Sequence, residues 1–155
     1  MLKETKAKLE KFGIAVLDLH EAESIHKELA QAEAAQYGAK VRSFKLNAIP
    51  GEEGWQVDFK VSRFLLKWDV ELKISNQYYE SNGPKTRTGF LTTTDSEING
   101  PFASIASMIT HSVFENPIAS LINRINIDES LGELRVAIID EGTRAVTWLE
   151  GFPSV

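Results

Sequence analysis

Apolar and polar residues alternate most clearly in the middle of the chain. In residues 55–61 and again in residues 64–74, every second position is apolar and most of the positions between are charged or polar. Strict alternation is typical of strands with one buried and one solvent-exposed face, as in an antiparallel sheet. Residues 41–49 follow the same period, and the threonines of residues 87–94 favour an extended backbone. These segments together predict a strand meander.

The alternation changes phase between Val61 and Phe64, and two local structures would explain this. A single strand through both segments would far exceed the usual length of about five or six residues. If the chain reverses at residues 62–63, Asp58 lies opposite Lys67, which is a favourable cross-strand pair. Serine and arginine are poor residues for a two-residue turn, and a β-bulge would also change the phase. We prefer the reversal.

Helical spacing dominates the first part of the chain. The charged residues 2–12 predict a short helix, and residues 14–17 stay open between strand and helix because short apolar runs do not distinguish the two. Asp18 and Glu21 have the spacing of a capping box. The apolar residues that follow recur every three or four positions, which predicts a helix over residues 19–37.

The C-terminal part of the chain predicts a further helix and a hairpin. Pro101 opens the helix and Pro117 interrupts it; its apolar stripe consists of Phe102, Ile105, Ile109 and Val113. Strands over residues 134–139 and 144–149 flank a turn. The order predicts one α+β domain over residues 1–155, a two-layer sandwich in which an antiparallel sheet of about five to six strands packs against two main helices.

Composition narrows the function classes. The chain has 155 residues, no cysteine and a net charge of −5. The absence of cysteine excludes thiol chemistry and disulfides, and an acidic balance disfavours a general nucleic-acid binder. No apolar stretch approaches the roughly 20 residues that span a bilayer, and the charged N-terminus lacks the apolar region of a signal peptide. We therefore expect a cytoplasmic protein with no membrane partner.

Residues capable of catalysis or metal binding do not form a recognisable motif. His20 and His26 are six positions apart, whereas two zinc ligands on one helix face need a spacing of four, so surface histidines are expected. His111 is the best acid–base candidate and has no identifiable partner. The adjacent carboxylates at 52–53, 128–129 and 140–141 fall in predicted turns. The sequence predicts no catalytic residue, no metal site and no cofactor.

Basic residues in the strand region are the best candidates for a binding site. Together with two tyrosines they would suit a single-stranded nucleic acid, whose bases stack on aromatic rings. The candidates are Arg42, Lys45, Lys60, Lys67, Tyr78, Tyr79, Lys85 and Arg87. Interleaved acidic residues, Asp58 and Asp69 among them, favour an ordinary solvated face instead. The three tryptophans, Trp55, Trp68 and Trp148, are expected in the core.

Three functions remain open on these grounds. The first is a non-enzymatic protein-binding domain, an adaptor or chaperone-like module whose partner is another protein or a second copy of the chain. The second is a single-stranded nucleic-acid-binding domain that uses the basic outer face of the sheet. The third is a small-molecule or enzymatic pocket between the sheet and the helices, with His111 as its acid–base group. We prefer the first.

Overall fold

Two antiparallel sheets and two helices make up the described part of the chain. The computed structural model describes residues 2–80, 87–101 and 129–153. The helices are α1 (Leu2–Phe12) and α2 (Leu19–Gln36). The strands are β1 (Ile14–Asp18), β2 (Lys40–Ala48), β3 (Gly54–Arg63), β4 (Leu66–Glu80), β5 (Arg87–Asn99), β6 (Glu133–Ile139) and β7 (Arg144–Glu150).

The strands divide into a meander and a smaller sheet. The first sheet has the order β2-β3-β4-β5, and the second has the order β1-β7-β6. The predicted mixed α+β class is confirmed. The strand count is different, because the described residues form sheets of four and three strands instead of one sheet of about five to six. The C-terminal hairpin has β1 as its third strand. The helix that was predicted to open at Pro101 lies, beyond Pro101 itself, outside the described residues.

Local hydrogen bonds explain why α2 begins and ends where it does. The capping box is present, because Asp18 Oδ1 accepts from the Glu21 N–H at 2.7 Å and Glu21 Oε1 accepts from the Asp18 N–H at 3.3 Å. At the other end Gly38 has a φ of 70° and donates its N–H to the carbonyl of Ala35 at 3.1 Å. A left-handed residue after the last turn ends a helix, and glycine adopts that conformation without a steric penalty.

Pairing with β7 makes residues 14–18 a strand. Gly13 separates them from α1 with a φ of 73°, and its carbonyl accepts from the N–H of Leu149 at 2.8 Å. A Cβ atom at Gly13 would lie 2.4 Å from Cγ of Phe152, so no larger residue fits there. The apolar pattern did not distinguish strand from helix for this segment, and the long-range partner decided it.

The β3–β4 hairpin reverses two residues later than predicted. Arg63 lies opposite Leu66, so Phe64 and Leu65 form the turn. The predicted reversal at residues 62–63 is therefore wrong, as is the pair of Asp58 with Lys67; Asp58 lies opposite Glu71 and Lys67 lies opposite Ser62. The physical reason lies on the buried face. In the observed register all four buried apolar residues of β3 face a buried apolar residue of β4, in the pairs Trp55–Ile74, Val57–Leu72, Phe59–Val70 and Val61–Trp68. The predicted register would instead place Leu72 and Ile74 opposite Glu53 and Gly51, beyond the buried row of β3.

One hydrophobic cluster contacts both sheets and both helices. Trp55 and Trp68 are buried in it, as predicted. Trp148 is only partly buried, because β7 turns Thr147 and Leu149 inward and leaves Trp148 on the opposite face. Phe152 packs against the cluster from the segment that follows β7.

His26 is buried, which corrects its predicted position on the surface. It is 8% exposed, one turn after Ala22 on the buried side of α2. Its Nδ1 donates to the carbonyl of Ala22 at 2.8 Å, and its ring packs edge-on against Trp55 with the centroids 5.6 Å apart. Burial lowers the pKa of His26, and the hydrogen bond with Ala22 opposes that shift only in part.

Two polar side chains join the sheets. Asn76 of β4 exchanges two hydrogen bonds with the backbone of Ile138 in β6, since Nδ2 donates to the carbonyl and Oδ1 accepts from the N–H, both at 2.7 Å. Trp55 Nε1 donates to the carbonyl of Gly142 at 2.8 Å, in the short turn between β6 and β7. The amide of Asn76 thus satisfies backbone groups as a neighbouring strand would.

Replacing Asn76 with alanine is expected to weaken the joint between the sheets. The substitution leaves the N–H and carbonyl of Ile138 without their partner, and each buried unsatisfied group costs about 1–3 kcal/mol. We expect a loss of about 2–3 kcal/mol in the free energy of unfolding, measured by urea denaturation. The matched control is Asn47→Ala, at an exposed position of β2, with an expected change in unfolding free energy within about 0.5 kcal/mol. Equal losses in the two variants would contradict the prediction.

Protonation of His26 is expected to destabilise the fold at mildly acidic pH. Its pKa is lowered in the folded state, so the unfolded chain takes up the proton first as the pH falls through the ordinary histidine value of about 6.5. The stability contributed by neutral His26 is present above that pH and is lost below it. His26→Asn should flatten the dependence of unfolding free energy on pH between 7.5 and 5. The matched control His20→Asn, at an exposed position of the same helix, should leave the dependence unchanged.

Candidate functional site

Four of the predicted basic residues lie on one face of the larger sheet. Arg42 and Lys45 lie on β2, Lys60 on β3 and Lys67 on β4, and all four are exposed. Strand alternation turns the three lysines away from the core. Arg42 reaches this outer face at an irregularity in the β2–β3 register, where its Nε donates to Ser62 Oγ at 2.7 Å.

Three of these residues line one cleft, which has a volume of about 610 Å³. Arg42, Lys60 and Lys67 surround it, and its remaining lining residues are Val61, Trp68 and Asp69. Lys45 does not line it. The cleft lies next to the β3–β4 turn, on the outer side of the strand ends that the turn connects.

The other predicted candidates lie elsewhere. Tyr78 and Tyr79 belong to the opposite end of β4, where they pair with Gly89 and Thr88 of β5. At about 3.3 Å per residue this places Tyr78 roughly 35 Å along the strand from Lys67. Arg87 pairs with Glu80 at the same end, and Lys85 lies outside the described residues. The predicted set is therefore divided, and the structure brings together only Arg42, Lys60 and Lys67.

The cations around the cleft are weakly neutralised. Lys60 Nζ lies 4.0 Å from Asp69 Oδ1, and both side chains are about two-thirds exposed. An exposed pair of this kind contributes at most about 1 kcal/mol. In the described part of the chain Lys67 forms no ion pair, and neither does Arg63. This end of the outer face is consequently positive.

Acidic residues dominate the middle of the same face. Along the row of residues that cross the four strands there, Lys45 is followed by Asp58, Glu71 and Glu97. A nucleic acid would need a positive track along its backbone. The acidic row interrupts that track a short distance from the cleft, so the positive charge is local to the hairpin end.

The hairpin turn carries the most exposed apolar side chains described. Phe64 is 90% exposed and Leu65 is 96% exposed, on adjacent residues. Phe64 also has a φ of 54°, in a region that glycine adopts readily and a bulky residue rarely does. Sequence reasoning missed both residues because it placed Phe64 on the buried face. The change of phase beside it was the signal that marked this position.

Arg63 joins the hairpin turn to the end of α2. Its guanidinium lies 5.7 Å from the centre of the Phe64 ring, within the range of a cation–π contact. Its Nε is buried next to Gly38, the residue that ends α2, and has no hydrogen-bond partner in the described residues. A cation is favoured near a helix C-terminus. We call Arg42, Lys60, Arg63, Phe64, Leu65 and Lys67 the hairpin-tip surface.

A second apolar strip lies on the smaller sheet. Ile14 and Val16 are about half exposed on β1, which is an edge strand of its sheet. Trp148 lies beside Ile14, and Val146 lies beside Val16. The strip is less exposed than the hairpin turn. Its neighbouring charges neutralise one another, because Arg135, which lies opposite Trp148, forms ion pairs with Glu133 and Glu150.

Groups suited to catalysis do not converge in the described residues. No three histidine, aspartate or glutamate side chains there lie close enough together to hold a metal ion. His26 is packed in the core, and His111 lies outside the described residues. The acidic side chains of residues 52–53 and 140–141 are exposed in turns, as predicted. Neither described helix has the length and apolar character needed to cross a membrane.

Comparisons with known proteins give no indication of function. No protein-family model matches this sequence, and the comparisons with curated proteins and with solved structures found no match either.

Replacing Phe64 with glycine is expected to stabilise the fold. A left-handed conformation costs a residue with a side chain about 1–2 kcal/mol, and glycine avoids that cost. The loss of the contact with Arg63 offsets part of the gain, so we expect about 1 kcal/mol more unfolding free energy by urea denaturation. Leu65→Gly is the matched control, since Leu65 does not have a positive φ, and should give no gain. A less stable Phe64→Gly variant would contradict the assignment of strain to this turn.

Proposed function

We propose that this chain is a protein-binding domain that docks through the tip of the β3–β4 hairpin. The observation that carries the proposal is the nearly complete exposure of Phe64 and Leu65 on a turn with a positive φ. Single exposed apolar residues are common on protein surfaces. Two adjacent ones on a strained turn are not expected from stability alone, since glycine would suit the turn better.

The hairpin presents these side chains on a rigid support. The β3–β4 ladder is regular from Arg63 and Leu66 down to Gly54 and Ser75, and its inner row is buried in the core. Little conformational entropy is lost when a rigid anchor binds, so more of the contact energy contributes to affinity. Arg63 lies against the Phe64 ring and would be covered by the same partner.

The composition of the tip favours a protein over a nucleic acid. Residues that dominate protein–protein affinity are typically aromatic or arginine residues near the centre of a contact, and Phe64 and Arg63 are of these types. Leucine at the tip adds apolar area but offers no ring for stacking. Trp68, the aromatic residue in the cleft lining, is 1% exposed and is not available to a base.

The proposal is tested by comparing partners of two variants. The double variant Phe64→Gly with Leu65→Asn removes both anchors and supplies residues that suit a two-residue turn, so it should stay folded. Val16→Thr is the matched control, because it removes an exposed apolar residue from the other sheet. Each purified protein is used for affinity capture from native lysate, and each captured protein is then purified and its Kd measured.

We expect at least one protein that binds the wild type and the Val16→Thr variant with the same Kd. Its Kd for the double variant should be at least about tenfold higher, since loss of an anchor residue typically costs about 1.4 kcal/mol or more. If every captured protein binds the double variant as tightly as the wild type, or if none binds the wild type directly, the proposed function is wrong.

A further inference from the structure

We infer that the cleft beside the hairpin tip binds a carboxylate, so the partner is a protein segment in which an acidic residue lies next to large apolar residues. This inference rests on the proposed function and adds the chemistry of the partner. The apolar part of the segment would contact Phe64 and Leu65, and its acidic side chain would enter the cleft between Arg42, Lys60 and Lys67.

Charge is the first argument. Three cationic side chains and one carboxylate, that of Asp69, line the cleft. Lys67 has no ion pair in the described residues. The hydrogen bond from Arg42 to Ser62 uses Nε, so the two Nη groups of Arg42 can bind an incoming carboxylate. The chain as a whole has a net charge of −5 and would repel an acidic partner. A local positive cleft therefore selects where such a partner docks.

Shape is the second argument. The cleft is concave, has a volume of about 610 Å³ and adjoins the convex tip. A flat lipid surface could cover Phe64 and Leu65 but would not fill the cleft beside them. A single side chain with a carboxylate fits a concavity of this size, and guanidinium and ammonium groups are its natural partners. The combination of tip and cleft matches a segment with both kinds of residue.

The carboxylate of Asp69 in the cleft lining predicts opposite effects of two substitutions on the affinity for an acidic ligand. Asp69 lies in the cleft lining, so its carboxylate repels an acidic ligand while it holds Lys60 at 4.0 Å. Removing the charge of Asp69 should therefore strengthen binding, whereas removing the charge of Lys67 should weaken it. A role of these exposed residues in folding alone would not produce opposite effects on affinity.

Peptide selection provides a defined probe. Random linear peptides displayed on phage are selected on the wild-type protein after depletion on the Phe64→Gly, Leu65→Asn variant. The enriched peptides are synthesised with a fluorophore, once as selected and once with each Asp or Glu replaced by Asn or Gln. Their Kd values are then measured at low and high salt by fluorescence anisotropy. Phosphatidylserine vesicles are tested in parallel.

We expect enriched peptides in which Asp or Glu adjoins Phe, Leu or Trp. Lys67→Gln should raise their Kd about threefold to tenfold, and Asp69→Asn should lower it about threefold. The matched controls Lys73→Gln and Glu71→Gln, on the same strand and face, should change the Kd by less than about twofold. The amide versions of the peptides should bind more weakly, and the preference for the acidic version should decrease at high salt.

Two failures are distinguishable. If peptides are enriched that need Phe64 and Leu65 but bind equally well with carboxylates or amides, the inference about the cleft is wrong and the proposed function stands. If no peptide is enriched and the wild type binds vesicles, or binds neither, the tip is not a protein-binding surface and both proposals are wrong.

Discussion

The pairing of the buried rows of β3 and β4 is the constraint on which the rest of the structure depends. Four apolar residues of one strand face four of the next, from Trp55 with Ile74 to Val61 with Trp68. Burial of side chains of this size stabilises a fold by about 1.5–3 kcal/mol each, which exceeds the strain of an unfavourable turn. The register that brings Leu72 and Ile74 opposite the buried residues Val57 and Trp55 places Phe64 and Leu65 at the reversal. Core packing thus determines which side chains are presented to solvent at the tip.

The same rows also determine how the smaller sheet is attached. Trp55 ends the buried row on β3, and its indole N–H reaches the turn between β6 and β7. Asn76 follows the end of the row on β4 and bonds to the backbone of β6. His26 completes this arrangement, because its ring packs edge-on against Trp55 and so brings α2 into contact with β3. The Nδ1–H of the same ring donates to the carbonyl of Ala22. Helix and both sheets therefore meet around one tryptophan.

Sequence patterns predicted the elements well and their long-range pairing poorly. The capping box at Asp18 and the alternation in the meander are local, so the bounds of both helices and the start of every strand agree with the structure within two residues. The strands β4 and β5 extend to Glu80 and Asn99, six and five residues beyond the predicted ends, because their pairing with each other continues past the alternating segment. A shift of two residues on each strand keeps every side chain on its own face, so alternation does not distinguish the predicted register from the observed one. His26 was placed on the surface because of its polarity, although its position one turn after Ala22 lies on the buried face. The positive cleft was partly predictable, since alternation puts Lys60 and Lys67 on one face. The position of Arg42 depended on the irregularity in β2, and the exposure of Phe64 depended on the register of the hairpin, so neither was predictable from alternation.

The position of the tip explains why the proposed binding surface can be altered without loss of the fold. A strained residue persists only where surrounding structure determines its conformation, and here the β3–β4 ladder does so from one side of the turn. Phe64 contributes almost nothing to the core, because it is 90% exposed, so its replacement relieves strain and leaves the buried rows intact. A sequence selected for stability alone would have glycine at this position. Phe64 lies there beside Arg63 and next to a positive cleft, an arrangement that the proposed docking function would use and that folding does not need.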